Sequence, residues 1–166
     1  MPLFRRHRIR RTRDGGYEID LPEPERALLG NLAAQLREVL EETTDDPSVR
    51  RLFPTAYHED PERDREYQQL VRDELLTRRL AALASLDATL TEERLDEDQL
   101  SAWLSSLNDL RLVLGTRLDV SEELLDIEAD DPDAPAYAVY EYLGFLLTEV
   151  VDAMTDGLPP PTEPDR

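Results

Sequence analysis

Leu28, Leu29, Leu32, Leu36, Val39 and Leu40 fall on one helical face, which predicts an amphipathic helix from Pro24 to about Glu42. Asp46-Pro47 has the form of an N-cap followed by proline at the first helical position, opening a short turn that Pro54 stops. Asp60-Pro61 repeats that signal. From there to Leu90 no further glycine or proline occurs, and Tyr67, Leu70, Val71, Leu75, Leu76, Leu80, Leu83, Leu86 and Leu90 predict one long helix. Asp96 and Gln99 match a capping box for a helix carrying Leu100, Trp103, Leu104, Leu107, Leu110 and Leu114, with Gly115 at its C-terminal end. Ser121 is a candidate cap for a short turn, and the acidic run from Asp126 to Pro135 reads as a loop. A last helix follows from Ala136 to about Met154.

Both chain ends break the helical pattern. Phe4–Thr12 and the alternating Tyr17–Leu21 flank Asp14-Gly15-Gly16, which reads as a β-hairpin. Residues 157–166 hold Pro159-Pro160-Pro161 and Pro164 and read as a disordered tail. The last helix carries Tyr137, Tyr140, Gly144, Leu147, Val151 and Met154 on one stripe, yet Val139, Tyr142, Leu143, Phe145, Leu146 and Val150 cover its other sides. A helix apolar around its circumference belongs at the centre of a bundle or between copies of the chain, so residues 136–154 are the candidate homo-oligomer contact. The fold expected is mainly α: about four main helices around one core, in a single domain of residues 1–156. The hairpin takes 3–21 and the bundle 23–156.

Composition narrows the chemistry. The 166 residues include no cysteine, which removes thiol nucleophiles, thiolate metal sites and disulfide switches. All 19 basic residues are arginine, against 38 acids, for a formal charge of −19. The charge is segregated: residues 1–13 carry +6, and the remainder of the chain −25. Such a balance disfavours general nucleic-acid binding, so contact with DNA is expected to be weak or indirect. No run of about 18 apolar residues exists to span a membrane, and no apolar run follows Arg5-Arg6 as in a secretory signal. A cytoplasmic protein is expected.

Catalytic signatures are missing at the sequence level. His7 and His58 are not spaced as zinc ligands, and the sixth and twelfth positions counted from Asp126 hold Asp131 and Tyr137 where a calcium loop needs Gly and Glu. No nucleophile elbow, phosphate loop or dinucleotide fingerprint occurs. A non-enzymatic protein without metal or cofactor is expected, the alternative being a metal-dependent enzyme using His58 with Glu59 and Asp60.

Two basic features remain. The hairpin arginines Arg5, Arg6, Arg8, Arg10, Arg11 and Arg13 can grip a nucleic-acid backbone or an acidic partner, or lie against the acidic remainder of their own chain. Phe53 and Tyr57 flank Pro54 between two helices, and Arg111 and Arg117 sit among leucines. The plainer interpretation is a packed loop with Arg111 paired to a carboxylate such as Asp109 or Glu74. The functional one makes Arg51, Phe53, Pro54, Tyr57, Arg111 and Arg117 a partner-binding groove, since arginine and aromatic side chains dominate binding hot spots.

At these segments the chain resembles an actinobacterial family, the domain of unknown function numbered two thousand and seventeen. The carriers are Arg13-Asp14-Gly15-Gly16, Asp46-Pro47, Arg51-Leu52-Phe53-Pro54-Thr55-Ala56-Tyr57, Glu66-Tyr67 and Leu114-Gly115-Thr116-Arg117-Leu118. The resemblance spans about residues 3–156 and implies a regulatory or adaptor-like protein working through protein–protein contacts. Members are often encoded beside a Clp-protease adaptor. Some are named oxidative-stress transcriptional regulators acting through a sigma factor and a thiol switch. A sigma factor, a Clp adaptor or a protease component is therefore the implied partner, with direct contact to DNA as the alternative. The cysteine-free chain departs from the family on the thiol.

Overall fold

Three of the helical segments begin at an aspartate whose side chain satisfies an orphan amide of the first turn. The computed structural model describes residues 7–42, 46–119 and 130–158. Helix α1 spans Glu23–Glu42, with Glu23 and Glu25 in its first turn. A 3-10 turn, Pro47–Leu52, is capped by Asp46, whose carboxylate accepts from the Ser48 amide at 2.8 Å. Helix α2 spans Pro61–Thr89 behind the cap Asp60, as the Asp-Pro signal predicts. The capping box of α3, Glu97–Arg117, is complete: Asp96 accepts from the Gln99 amide at 2.8 Å, and Gln99 accepts from the Asp96 amide at 2.9 Å. Helix α4 is Ala134–Thr155. It starts two residues before the expected Ala136, because Pro135 fits the first turn where its missing N–H costs nothing.

The N-terminal hairpin forms and gains a partner. Strand β1, Ile9–Arg11, pairs antiparallel with β2, Tyr17–Ile19, in the register Ile9↔Ile19 and Arg11↔Tyr17. The turn between them uses Gly15 at φ 86°, a backbone state that glycine adopts freely. A third strand, β3, is only Arg94–Leu95 and lies on the far side of β2, giving the order β1-β2-β3. Ile9, Tyr17, Ile19 and Leu95 turn one face into the core, while Arg10 and Glu18 pair on the other at 2.8 Å.

Helix α3 forms the centre, packing against α1, α2, α4 and the 3-10 turn. Its Trp103 is fully buried and donates to the Thr89 hydroxyl at 2.7 Å. Gly115 lies inside this helix rather than at its end: a Cβ there would meet the Tyr140 ring at 3.0 Å, so glycine lets α3 and α4 approach. The left-handed residue that stops α3 is Asp119, at φ 51°.

Helix α4 is therefore not the central element that its all-round apolar character predicts. It buries Leu143, Leu146, Val150 and Ala153, and leaves Phe145 38% and Val151 45% exposed. Six residues apart, these two point about 120° from each other. Ser121 and most of the acidic loop, 120–129, lie outside the described residues, as do Arg5, Arg6 and the tail from Pro159.

Candidate functional site

The six candidate partner residues divide between surface and core. Arg51 and Pro54 are exposed at the end of the 3-10 turn. Arg117 is exposed at the end of α3, and its charge reaches Asp46 at the start of the same turn. The Asp46 carboxyl sits below the usual carboxylate range, held first by the Ser48 hydroxyl and amide, then by Arg117. Tyr57 is half-buried, edge-on to Tyr67 at 6.0 Å between ring centres, with the Arg63 guanidinium 4.4 Å above it. Arg51, Pro54 and Tyr57 follow one another along the 3-10 turn and the loop behind it, and Arg117 acts on the start of that turn through Asp46.

Phe53 and Arg111 do not join them. Phe53 is 8% exposed and packs inward beneath Arg72, 4.6 Å from the ring centre, and Arg79, at 5.9 Å. Its truncation would act on folding, so it is no probe of a surface. Arg111 pairs with neither Asp109 nor Glu74. It stacks 4.4 Å over the Tyr140 ring, and its Nε is buried without a hydrogen-bond acceptor. The carboxylates are taken elsewhere, Glu74 by Arg78 at 2.6 Å and Asp109 by Arg79.

The loop beyond Phe53 is strapped to α2. Asp64 accepts from the amides of Ala56 and Tyr57 at 2.8 and 3.2 Å, and Gln68 donates to the Pro54 carbonyl at 2.9 Å. Arg79 completes the strap, donating to the Leu52 carbonyl at 2.9 Å while it engages Asp109. Asp109 is 2% exposed, and burial raises its carboxyl above the ordinary value although Arg79 opposes the shift.

Of the described hairpin arginines, three bond within the chain. Arg8 pairs with Glu25 at 3.0 Å, Arg10 with Glu18, and Arg11 donates to the Asp156 carbonyl at 3.1 Å. Arg13 is exposed. Tyr142 donates to Glu25 at 2.6 Å, and burial followed by that carboxylate pushes its phenol well above the ordinary range. Glu149, 9% exposed on α4, accepts from the Arg8 amide at 2.8 Å and stands 3.3 Å from His7 Nδ1. Sequence reasoning passed over Glu149, although an acid isolated between Gly144 and Val151 in an apolar run is a signal that a buried partner exists.

His58 is exposed in the bend ahead of α2, and among the described residues no group of three His, Asp or Glu side chains is placed to hold a metal ion. Among those residues, too, no helix is long and apolar enough to cross a membrane.

Fold and surface together define a small helical protein with an arginine-bearing three-stranded edge and exposed arginines at Arg51 and Arg117. The chain belongs to the family described as a domain of unknown function, DUF2017, whose model matches residues 6–154. It is similar to the oxidative stress regulator AosR of Mycobacterium tuberculosis (strain ATCC 25618 / H37Rv), 27% identical over 185 residues, which cover 87% of this chain and 85% of the relative. AosR of Mycobacterium bovis (strain ATCC BAA-935 / AF2122/97) gives the same figures. The putative AosR of Mycobacterium leprae (strain TN) is 27% identical over 128 residues, 66% of this chain and 59% of that protein. No solved structure matches.

Proposed function

We propose that this chain is a non-enzymatic regulator of the oxidative-stress response that works through protein–protein contacts, with Arg51, Pro54, Tyr57 and Arg117 as its contact residues. The observation that carries the regulatory part is a likeness to proteins named oxidative stress regulators along 87% of the chain. Those residues supply the chemistry: exposed guanidinium groups, a rigid proline and a half-buried tyrosine suit an acidic partner edge. Components of the transcription machinery and of Clp proteolysis are the partner classes proposed. A stress signal reaches this protein without a thiol of its own, because the chain holds no cysteine.

Fluorescence anisotropy with a purified sigma-factor-containing polymerase, and separately with Clp adaptor and protease components, tests the proposal. Saturable binding to one of them is expected. The double substitution Arg51→Ala with Arg117→Ala should weaken it at least about tenfold, the equivalent of roughly 1.4 kcal/mol, without moving the melting transition. Binding to none of them, or binding indifferent to both arginines, overturns the assignment.

Direct DNA contact is the competing reading, and the internal bonds of Arg8, Arg10 and Arg11 weigh against it. Affinity for duplex DNA is expected to be weak, independent of sequence and gone at moderate salt. A footprint on one sequence by the purified chain at physiological salt would establish the opposite.

A further inference from the structure

Helices α3 and α4 meet at two glycines. A Cβ at Gly115 of α3 would touch the Tyr140 ring, and one at Gly144 of α4 would lie 3.2 Å from Arg111 Nε, so the two helices run antiparallel past each other. Arg111 lies between the Gly144 backbone and the Tyr140 ring, 4.4 Å from the ring centre. Its Nε is sealed, but the residue is only half-buried, and its two terminal nitrogens keep accessible surface and donate to no described residue. Arg8, Arg26 and Arg79, half-buried like it, each donate to a carboxylate or carbonyl oxygen. A guanidinium that is held by stacking, partly desolvated and without an oxygen to bond is prepared for an acceptor from outside the bundle.

The neighbours of Arg111 define that acceptor. One and two turns beyond Gly144, the same stripe of α4 carries Leu147, half-buried, and Val151, 45% exposed. The matching stripe of α3 runs back from Arg111 through Asn108 to Leu104. On these two stripes the one charge is Arg111, in a chain whose formal charge is −19. A nucleic-acid backbone is held by several cations, and here there is one. A second copy docked by two-fold symmetry would present the same face, with another Arg111 and no acid to meet the first. A lone cation amid aliphatic side chains is complemented by a carboxylate set in an apolar surface, and a pair of packed helices offers such a surface to a third helix. Gly144 and Val151 are seven residues apart, about 10.5 Å along the axis, which is also two turns of a docked helix. We propose that the α3–α4 face binds an amphipathic helix of a partner protein, whose apolar side carries an Asp or Glu for Arg111 and, seven residues away, an apolar side chain for Val151. The proposal does not depend on Arg51 or Arg117.

The test is selection from a library of randomised helical peptides, each about four turns long, on the immobilised full chain, with Val151→Asp as the counter-selection. Val151 is exposed, so that variant keeps the fold while placing a repelling charge on the face. Enriched peptides are expected to carry an acid seven residues from Leu, Ile or Phe. Fluorescence anisotropy with the best of them should show binding at least about tenfold weaker for Arg111→Gln, and equally weaker when the peptide's acid is made an amide. Should Arg111→Gln fail to fold, the amide peptide carries that comparison alone. No enrichment over Val151→Asp, enriched peptides without an acid, or affinity indifferent to the amide change would each overturn the proposal. So would a dimer in sedimentation that Val151→Asp dissolves, which assigns the face to a second copy. Enrichment that appears only once Glu122, Glu123, Asp126 and Glu128 are all replaced by amides would assign it to the chain's own acids and overturn the proposal likewise.

Discussion

Arg26→Met is expected to lower the unfolding free energy by roughly 3–4 kcal/mol, more than most single surface changes, although this arginine belongs to no motif. Its guanidinium donates to four backbone carbonyls: Leu21 at 2.8 Å, Glu92 at 3.0 Å, Ile19 at 3.3 Å and Leu90. Those carbonyls belong to three places that must be held together, namely the end of β2, the end of α2 and the turn leading into β3. The last turn of α2 contains no basic residue of its own, so Arg26 reaches across from α1 to supply the cation that a helix C-terminus favours. Methionine keeps most of the stem's packing and removes all of the donors. Arg26→Lys should recover less than half of the loss, since an ammonium is a point donor and cannot span the same spread of acceptors. Urea unfolding of the three proteins measures this directly. A loss below about 1 kcal/mol for Arg26→Met would mean that water replaces the guanidinium at little cost.

The Arg26 cluster also marks the limit of what could be read from the amino acids. Helix starts were legible because their signals are local: Asp46-Pro47, Asp60-Pro61 and the Asp96–Gln99 box each act within one turn. The hairpin was legible from Asp14-Gly15-Gly16, but β3 was not, because two residues carry no alternation. Gly115 was mistaken for a helix stop because composition alone cannot separate a glycine that ends a helix from one that admits a neighbouring ring. The apolar circumference of α4 points either to the centre of the bundle or to a contact between copies of the chain. The centre is α3, whose Ser106 and Asp109 are buried polar residues that a hydrophobicity count places outside. Of the candidate contact residues, the exposed ones follow from loop chemistry. The inward turn of Phe53 depends on Arg72 and Arg79, about twenty residues further on, and Arg26 is bound to carbonyls that every residue possesses.

Asp109 and Arg79 give the second large effect, and its sign depends on pH. Arg79→Met is expected to destabilise the protein by about 3–5 kcal/mol near neutral pH, because the Asp109 carboxylate is left in the interior with no counter-charge. The loss should shrink on acidification. Asp109 is already raised above its ordinary 3.8 by burial with Arg79 present, and removing Arg79 takes away the charge and hydrogen bond that lower it. A carboxyl whose folded value lies above its unfolded one binds its proton more tightly when folded, so its contribution to stability grows as pH falls through the folded value and is complete below about 3.8. Asp14 and Asp46 behave oppositely: both are held low by neighbouring hydroxyls, and what they contribute is lost as acid protonates them. Both are common to wild type and variant, so they cancel in the difference. Unfolding curves at about pH 8 and about pH 4, close to the ordinary value, should therefore show a smaller wild-type-to-variant gap at the lower pH. Adding Asp109→Leu to Arg79→Met should restore much of the stability at the higher pH, since an apolar pair replaces an orphaned charge. A gap that is the same at both pH values, or a double variant no better than Arg79→Met alone, would locate the cost in the lost Leu52 and Phe53 contacts of Arg79 rather than in the buried charge.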